Sequence, residues 1–347
     1  MPLTRRRLLA GTAAALTALA LAGCSSTSPT DAQDTTGSSS AGASADAFPV
    51  TIEHALGTTT ITTRPERVVT WGWATADAAI ALGVLPVAIP FQSYGGDADG
   101  VLPWIREAVD ELGEPLPTVL PDTGEDVPFE DIAAAEPDVI LAQYSGLTQE
   151  QYDTLSAIAP VVAYPDEPWA TPWRDVVEIT GTALGRSTEA STALAAIDEQ
   201  IAEQRDAHPE FAGTSLAAVW DLGDTFYVYA DEDPRVAFML DLGFVNAPAV
   251  DSLDTDESSF YFTLSHERLD ELTSDVLVVY GTTDEEVDTF LDAPYAQVMS
   301  QVRDGAIAPL VGPELIAAVS PPTALSLTWG LDEVVTQLAT AVAAADD

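Results

Sequence analysis

Lysine is absent from this chain, cysteine occurs once and histidine three times among 347 residues. The 12 arginines face 56 Asp and Glu, so the formal net charge at pH 7 is −44. So acidic a chain is excluded from nucleic acid, whose phosphates need a basic face, and from anionic lipid headgroups. Without a second cysteine there is no intrachain disulfide, so stability must come from a buried core. At 47% hydrophobic residues the chain can build one. The three histidines, His54, His208 and His266, stand far apart. That scatter argues against a His-based metal site and leaves an all-carboxylate site open. Catalytic signatures are equally scarce. The sequence holds no Gly-rich phosphate loop and no Gly-x-Ser-x-Gly nucleophile turn.

The single cysteine is informative by its place. Arg5, Arg6 and Arg7 precede an apolar run, Leu8 to Ala22, which is too short to span a bilayer and ends in Leu21-Ala22-Gly23-Cys24. This is the pattern of a lipoprotein export signal over residues 1–23, with Cys24 as the lipidated first residue of the mature chain. Thr4-Arg5-Arg6-Arg7-Leu8-Leu9 also reads as a twin-arginine signal. The expectation is an extracytoplasmic protein anchored to the cell membrane. Residues 24–47, rich in Ser, Thr, Gly and Ala, read as its flexible tether. The mature chain keeps nine of the 12 arginines and every acidic residue.

From Arg67 onward short apolar runs alternate with helical patterns, which implies parallel α/β layering. Strands are expected at Arg67–Trp71, Leu85–Ile89, Val139–Ala142 and Val161–Tyr164. Helices are expected at Thr75–Leu82, Trp104–Leu112, Glu130–Ala135 and Gln149–Ile158. A long helical stretch follows, from about Trp173 to Ala207, with Gly181 and Gly185 as weak points. The alternation then restarts with strands Leu216–Trp220, Phe226–Tyr229, Val276–Tyr280 and Ile307–Val311. Helices Val236–Leu242, Glu267–Leu272 and Glu285–Met299 and a last one from Leu325 accompany them.

One internal comparison points to the architecture. Glu130, Ile132, Asp138, Val139, Ile140 and Leu141 match Glu267, Leu269, Asp275, Val276, Leu277 and Val278 at a constant offset, with no gap. The long helix falls between the two copies. The expected fold is therefore α/β: two Rossmann-like lobes, residues 48–166 and 209–347, joined by one long helix within 167–208. A ligand cleft lies between such lobes.

Aromatic and amide side chains cluster just after strand ends, where an α/β sheet presents its ligand face. Trp71 and Trp73 follow one strand, Gln92 and Tyr94 another, and Gln143 and Tyr144 a third. Trp169 precedes the long helix, Tyr227 sits beside a tight turn, Tyr261 lies in an irregular stretch and Trp329 opens the last helix. Singly, each suits a core as well as a ligand platform. Together they suggest a cleft walled by flat, amphipathic side chains.

In these features the chain resembles the iron-siderophore solute-binding lipoproteins of ABC importers, the class III (cobalamin and ferric-siderophore) type. The resemblance covers residues 48–345. It is carried by His54-Ala55-Leu56-Gly57, Pro65-Glu66-Arg67-Val68-Val69, Ala81-Leu82-Gly83-Val84-Leu85-Pro86, Glu136-Pro137-Asp138-Val139-Ile140-Leu141, Thr171-Pro172-Trp173 and Asp233-Pro234-Arg235 in that order. It implies that the helix joining the lobes is rigid. It also implies a monomeric binding protein, not an enzyme, that delivers a ferric siderophore to permease subunits. The iron would be held by the siderophore, with no cofactor and no metal site in the protein. It also implies that Glu130 and Glu267 dock on permease arginines. Cleft positions of the family fall on Trp73, Gln92, Gln143, Tyr227 and Tyr261, to which Trp71, Tyr94, Tyr144, Trp169, Arg235 and Trp329 are added. The scattered arginines and the negative field favour a neutral or cationic ferric hydroxamate over an anionic catecholate. A cobalamin or haem receptor of the same fold, and a free-metal-binding lipoprotein, remain alternatives.

Overall fold

A computed structural model describes residues 47–121, 126–255, 258 and 260–345. Cys24, the expected export signal and all but the last residue of the expected tether lie outside the described residues. An antiparallel hairpin of β1 (Val50–His54) and β2 (Gly57–Ile61), a segment for which the sequence pattern predicts no strand, comes first. The Gly57 turn and the β-branched run Thr58–Ile61 favour it.

The first sheet contains β3 (Val68–Thr70), β4 (Ala88–Pro90), β5 (Thr118–Leu120), β6 (Val139–Ala142) and β7 (Val161–Ala163). Their order is β5-β4-β3-β6-β7 and every pairing is parallel. Between them run α1 (Thr75–Ala81), α2 (Pro103–Leu112), α3 (Phe129–Ala134) and α4 (Gln149–Ser156). Strands buried along their whole length, such as β6, need covering on both faces, and these helices provide it.

The connection between the two sheets is not one helix but two, α5 (Trp173–Leu184) and α6 (Ser187–Ala207). Gly185 adopts φ 61°, a left-handed value that an L side chain resists, and ends α5. Arg186 N–H then reaches back to Gly181 O at 2.7 Å and Gly185 N–H to Thr182 O at 3.3 Å, a Schellman closure. Each piece serves a different half. Ala183 and Leu184 pack with Val68 and Leu141 of the first sheet, whereas Leu194, Ile197 and Ile201 pack with Phe211 and Leu331 beyond it.

The second sheet holds β8 (Ser215–Asp221), β9 (Phe226–Tyr229), β10 (Val245–Asn246), β11 (Tyr261–Leu264), β12 (Val276–Gly281) and β13 (Ile307–Val311). It runs β11-β9-β8-β12-β13, with β10 also on β8. β8, β12 and β13 are parallel, while β9 and β11 are antiparallel. The stretch around Tyr261, expected to be irregular, is therefore a strand. Its helices are α7 (Pro234–Asp241), α8 (Pro248–Leu253), α9 (Asp284–Asp292), α10 (Ser300–Asp304), α11 (Pro313–Val319) and α12 (Ser326–Ala345). The helix expected over Glu285–Met299 stops at Asp292, because Ala293 precedes Pro294 and that position disfavours helical backbone. Residues His266–Glu271 form a 3-10 helix in place of the expected α-helix.

The internal repeat is structural. Asp138 accepts the backbone N–H groups of Glu66 (2.7 Å) and Arg67 (3.0 Å), at the start of β3. Asp275 accepts the N–H of Ser215 (2.8 Å) and its hydroxyl (2.7 Å), at the start of β8. In each sheet one carboxylate stitches the incoming strand to its parallel neighbour. Core packing does not respect the two halves. One buried cluster runs from Ala78 of α1 and its flanking residues Ala74 and Leu82 through Val176 and Val177 to Leu310, Leu327 and Leu331. Among the described residues no helix is long and apolar enough to cross a membrane.

Candidate ligand-binding cleft

In the first sheet the strand order reverses between β3 and β6, the place where open α/β sheets bind ligands. The chain leaving β3 is Trp71-Gly72-Trp73 and the chain leaving β6 is Gln143-Tyr144-Ser145. They are tied together by Trp73 N–H to Tyr144 O at 2.9 Å, and Trp169 N–H donates to Ser145 O at 3.2 Å. A cavity of about 470 Å³ opens here, facing α7 and β11 across the gap. Its size suits a ligand of several hundred daltons.

Four of the sequence-derived site residues line this cavity: Tyr144, Trp169, Arg235 and Tyr261. Trp169 is 51% exposed and holds φ 61°, a strained backbone value for a bulky residue. Its indole lies against Gly146, where a Cβ would come within 2.3 Å of Nε1. Tyr227 stands behind Tyr261, with ring centroids 5.3 Å apart. Trp73 is half-buried and its Nε1–H points to the carbonyl of Pro321, a cavity residue, at 3.4 Å. Gln92 directs its amide to Gly72 O at 3.4 Å. Tyr94 is exposed, and Arg235 and Tyr229 both act on its hydroxyl electrostatically.

Three other expected residues are placed elsewhere. Trp71 is buried in the first sheet's core with Val69, Leu147 and Tyr164. Gln143 is fully buried, and its amide donates to Thr180 Oγ1 at 2.5 Å, clamping α5 to β6. Trp329 packs 5.5 Å from Trp104 and donates to Glu107 Oε1 at 3.2 Å. A strand-end or helix-start position alone does not decide which way a side chain is directed.

Sequence reasoning missed Phe238, Phe260 and Pro321 on the wall, and Asp233 beneath it, whereas Trp173, which with Trp169 flanks the start of the expected long helix, does lie on the wall. Asp233 carried a readable signal: an Asp before a Pro marks a helix start. It caps α7 by accepting Arg235 N–H at 2.9 Å. It also grips the Arg235 guanidinium through Nε and Nη2, both at 2.8 Å, with the Asp233 side chain 2% exposed. The guanidinium lies 3.9 Å over the Tyr229 ring and 5.6 Å from that of Tyr280. Burial alone would depress the Arg235 pKa, but its hydrogen bonds and charge pairing with Asp233 outweigh this and raise it. Burial pushes the Tyr144 and Tyr94 hydroxyls up to about 12 each, so both remain neutral donors at physiological pH.

The second guanidinium of the cavity is also paired. Arg174 bonds Asp198 at 2.8 Å and Asp241 at 3.3 Å while stacked 4.3 Å over Trp173. The cleft thus offers flat aromatic faces, phenol hydroxyls and cations already neutralised by carboxylates. Such groups hold a bulky, partly apolar molecule without supplying an uncompensated positive charge. Among the described residues no group of three or more His, Cys, Asp or Glu is placed to hold a metal ion.

Glu130 stands exposed at the start of α3, and Glu267 is exposed in the 3-10 helix that precedes β12. The two occupy equivalent places, one per sheet, upstream of Asp138 and Asp275.

Residues 68–310 match the family described as periplasmic binding protein. The chain is 29% identical over 205 residues to the Fe(3+) dicitrate-binding periplasmic protein FecB of Escherichia coli K12, covering 58% of this chain and 64% of that protein. The chain therefore spans just under two thirds of the length of that curated relative. Among solved structures, PiaA of Streptococcus pneumoniae TIGR4 in complex with ferrichrome is similar at TM-score 0.75 and 33% identity, over 85% of this chain and 99% of that one. A periplasmic solute-binding protein from Mycobacterium smegmatis MC2 155 aligns at TM-score 0.71 and 28% identity, over 84% and 98%.

Proposed function

The chain belongs to the periplasmic binding protein family, and on that premise we propose that it is the extracytoplasmic receptor of an ABC importer for a ferric siderophore of the hydroxamate class. It works as a binding protein rather than an enzyme. Cys24 carries the lipid that holds it at the membrane, and Glu130 and Glu267 meet basic residues of the permease. The siderophore supplies all ligands to the iron, which is cargo, so no protein metal site is required.

One observation carries the choice of ligand. Both guanidiniums on the cavity wall, Arg235 and Arg174, are committed to carboxylates. A chelate bearing several negative charges would bury them beside a neutral pair in a strongly acidic protein, which costs more than the pair returns. A neutral or cationic ferric hydroxamate has no such cost. It presents amide carbonyls to phenol hydroxyls and aliphatic arms to indole faces. The relative bound to ferrichrome supports the same reading. A cobalamin or haem receptor is the second reading, since those ligands are also bulky and partly apolar.

Fluorescence titration of the apo protein separates these. Ferrichrome, ferric dicitrate, a ferric tris-catecholate, cobalamin and haemin are each added, and tryptophan quenching is followed. Tightest binding of ferrichrome is expected. Tighter binding of the catecholate or the dicitrate would overturn the charge argument, and saturation by cobalamin or haemin alone would replace the ligand.

A further inference from the structure

Asp77 sits on α1, is 1% exposed and has no place in the binding wall. Its Oδ1 accepts two hydrogen bonds, from Trp104 Nε1–H on α2 and from the Thr323 hydroxyl, both at 2.5 Å. Thr323 belongs to the other half, in the turn between α11 and α12. Its hydroxyl oxygen already accepts Ser326 N–H at 3.0 Å, so its single proton is directed at Asp77. Ser326 returns the bond by accepting Thr323 N–H at 2.8 Å, and its own proton goes to Ala318 O at 2.6 Å. The turn is thereby closed into one reciprocally bonded unit.

The same short segment touches both the cavity and the first half. Ser320 and Pro321 line the cavity, and Pro321 O receives the Trp73 indole. Just upstream, Ala317 and Ala318 are buried with Ile80, Leu102 and Ile105 of α1 and α2.

We propose that the Asp77–Thr323 hydrogen bond is a pin that fixes the opening between the two halves, making both residues positioning residues for ligand retention. The apolar contacts at Ala317 and Ala318 are non-directional and permit sliding, whereas a hydrogen bond to a buried carboxylate specifies one register. With the pin in place, a ligand resting on Ser320 and Pro321 bears on a segment that cannot swing away from α1. Without it, the α11–α12 turn moves as a unit and the cavity floor drops back. Release is then faster, while the residues of the wall are unchanged. The retention part rests on the reading that a ligand occupies the cavity; the pin itself does not.

The test uses the whole mature protein. Thr323→Val removes the hydroxyl at nearly constant volume, and Thr323→Ser retains it. Hydrogen exchange of the ligand-free protein should rise about tenfold in residues 74–82 and 318–326 for Thr323→Val alone, with Thr323→Ser at the wild-type level. Release of ferrichrome, followed by stopped-flow fluorescence, should accelerate by a similar factor for Thr323→Val only. Unchanged exchange, a rise spread evenly over the protein, or a rise confined to residues 318–326, which loss of the acceptor for Ser326 N–H would cause by itself, overturns the pin. A local rise without faster release overturns its role in retention. Failure of the wild type to bind ferrichrome defeats the proposed ligand, and the exchange result still decides the pin.

Discussion

Asp233 holds Arg235 by two parallel hydrogen bonds of 2.8 Å across a single intervening proline. The carboxylate is the more deeply buried of the two, so the only cation facing the cavity from α7 arrives already neutralised. Together with Arg174 and its two carboxylates, this pair leaves both cavity guanidiniums compensated.

Replacing Asp233 by Asn keeps the helix cap, because Asn caps as well as Asp, and frees the guanidinium. Affinity for ferric dicitrate relative to ferrichrome should rise by about tenfold, a change of about 1.4 kcal/mol in relative binding free energy. Parallel fluorescence titrations of variant and wild type measure it. An unchanged ratio means the pair does not govern ligand charge.

Glu130 and Glu267 stand exposed in the equivalent helical segments that precede β6 and β12. Reversing both charges, Glu130→Arg with Glu267→Arg, should leave ferrichrome binding within about twofold, since neither residue is in the cavity. On the proposed docking role, cellular iron uptake should fall at least about tenfold, because repulsion would replace attraction at the permease. Normal uptake by a variant that folds and binds would remove the docking role.

His54 gives a pH dependence. The Thr59 hydroxyl donates to Val161 O at 2.5 Å, so it accepts from His54 Nε2 at 3.0 Å, and His54 Nδ1 is buried without a partner. Burial lowers the His54 pKa below its ordinary 6.5. The unfolded chain therefore takes up a proton at higher pH than the folded one. Stability is fully present above pH 6.5 and declines as pH falls through it towards the lowered folded value. Thermal melts at pH 7.5 and 5.5 should show a larger drop for wild type than for His54→Gln. Equal drops would show that this histidine does not contribute.

Gly95 packs tightly against α11 of the other half. A Cβ there would lie 2.6 Å from Ala317 Cβ and 3.1 Å from Pro313 O, and the residue holds φ 74°. Gly95→Ala should cost about 2–3 kcal/mol, combining overpacking with a left-handed backbone. Guanidinium denaturation measures this, and a loss below about 0.5 kcal/mol would mean the contact yields freely.

The amino-acid sequence by itself determined the local grammar of this protein. Runs such as Val139–Ala142 and Phe226–Tyr229 coincide with their strands because continuous or aromatic-rich apolar segments bounded by turn residues have few other stable forms. The matched Asp138 and Asp275 were legible as a repeat because each must satisfy the same strand-start N–H groups. Gly185 was legible as a weak point, and the backbone did break there. Short elements were harder to see. β5 and α11 are few residues long and stand only through their neighbours, so propensity says little about them. Only the tertiary structure decided which strand-end aromatics face the cavity. Tyr144 lines it while the adjacent Gln143 is buried against Thr180 of α5, because packing beyond the end of β6 chooses which side chain meets the cavity. It alone brought Thr323 to Asp77, a pairing across 246 residues that no periodicity encodes. Local patterns follow from the chain's own stereochemistry. Contacts between distant segments follow from how whole surfaces fit once they are buried.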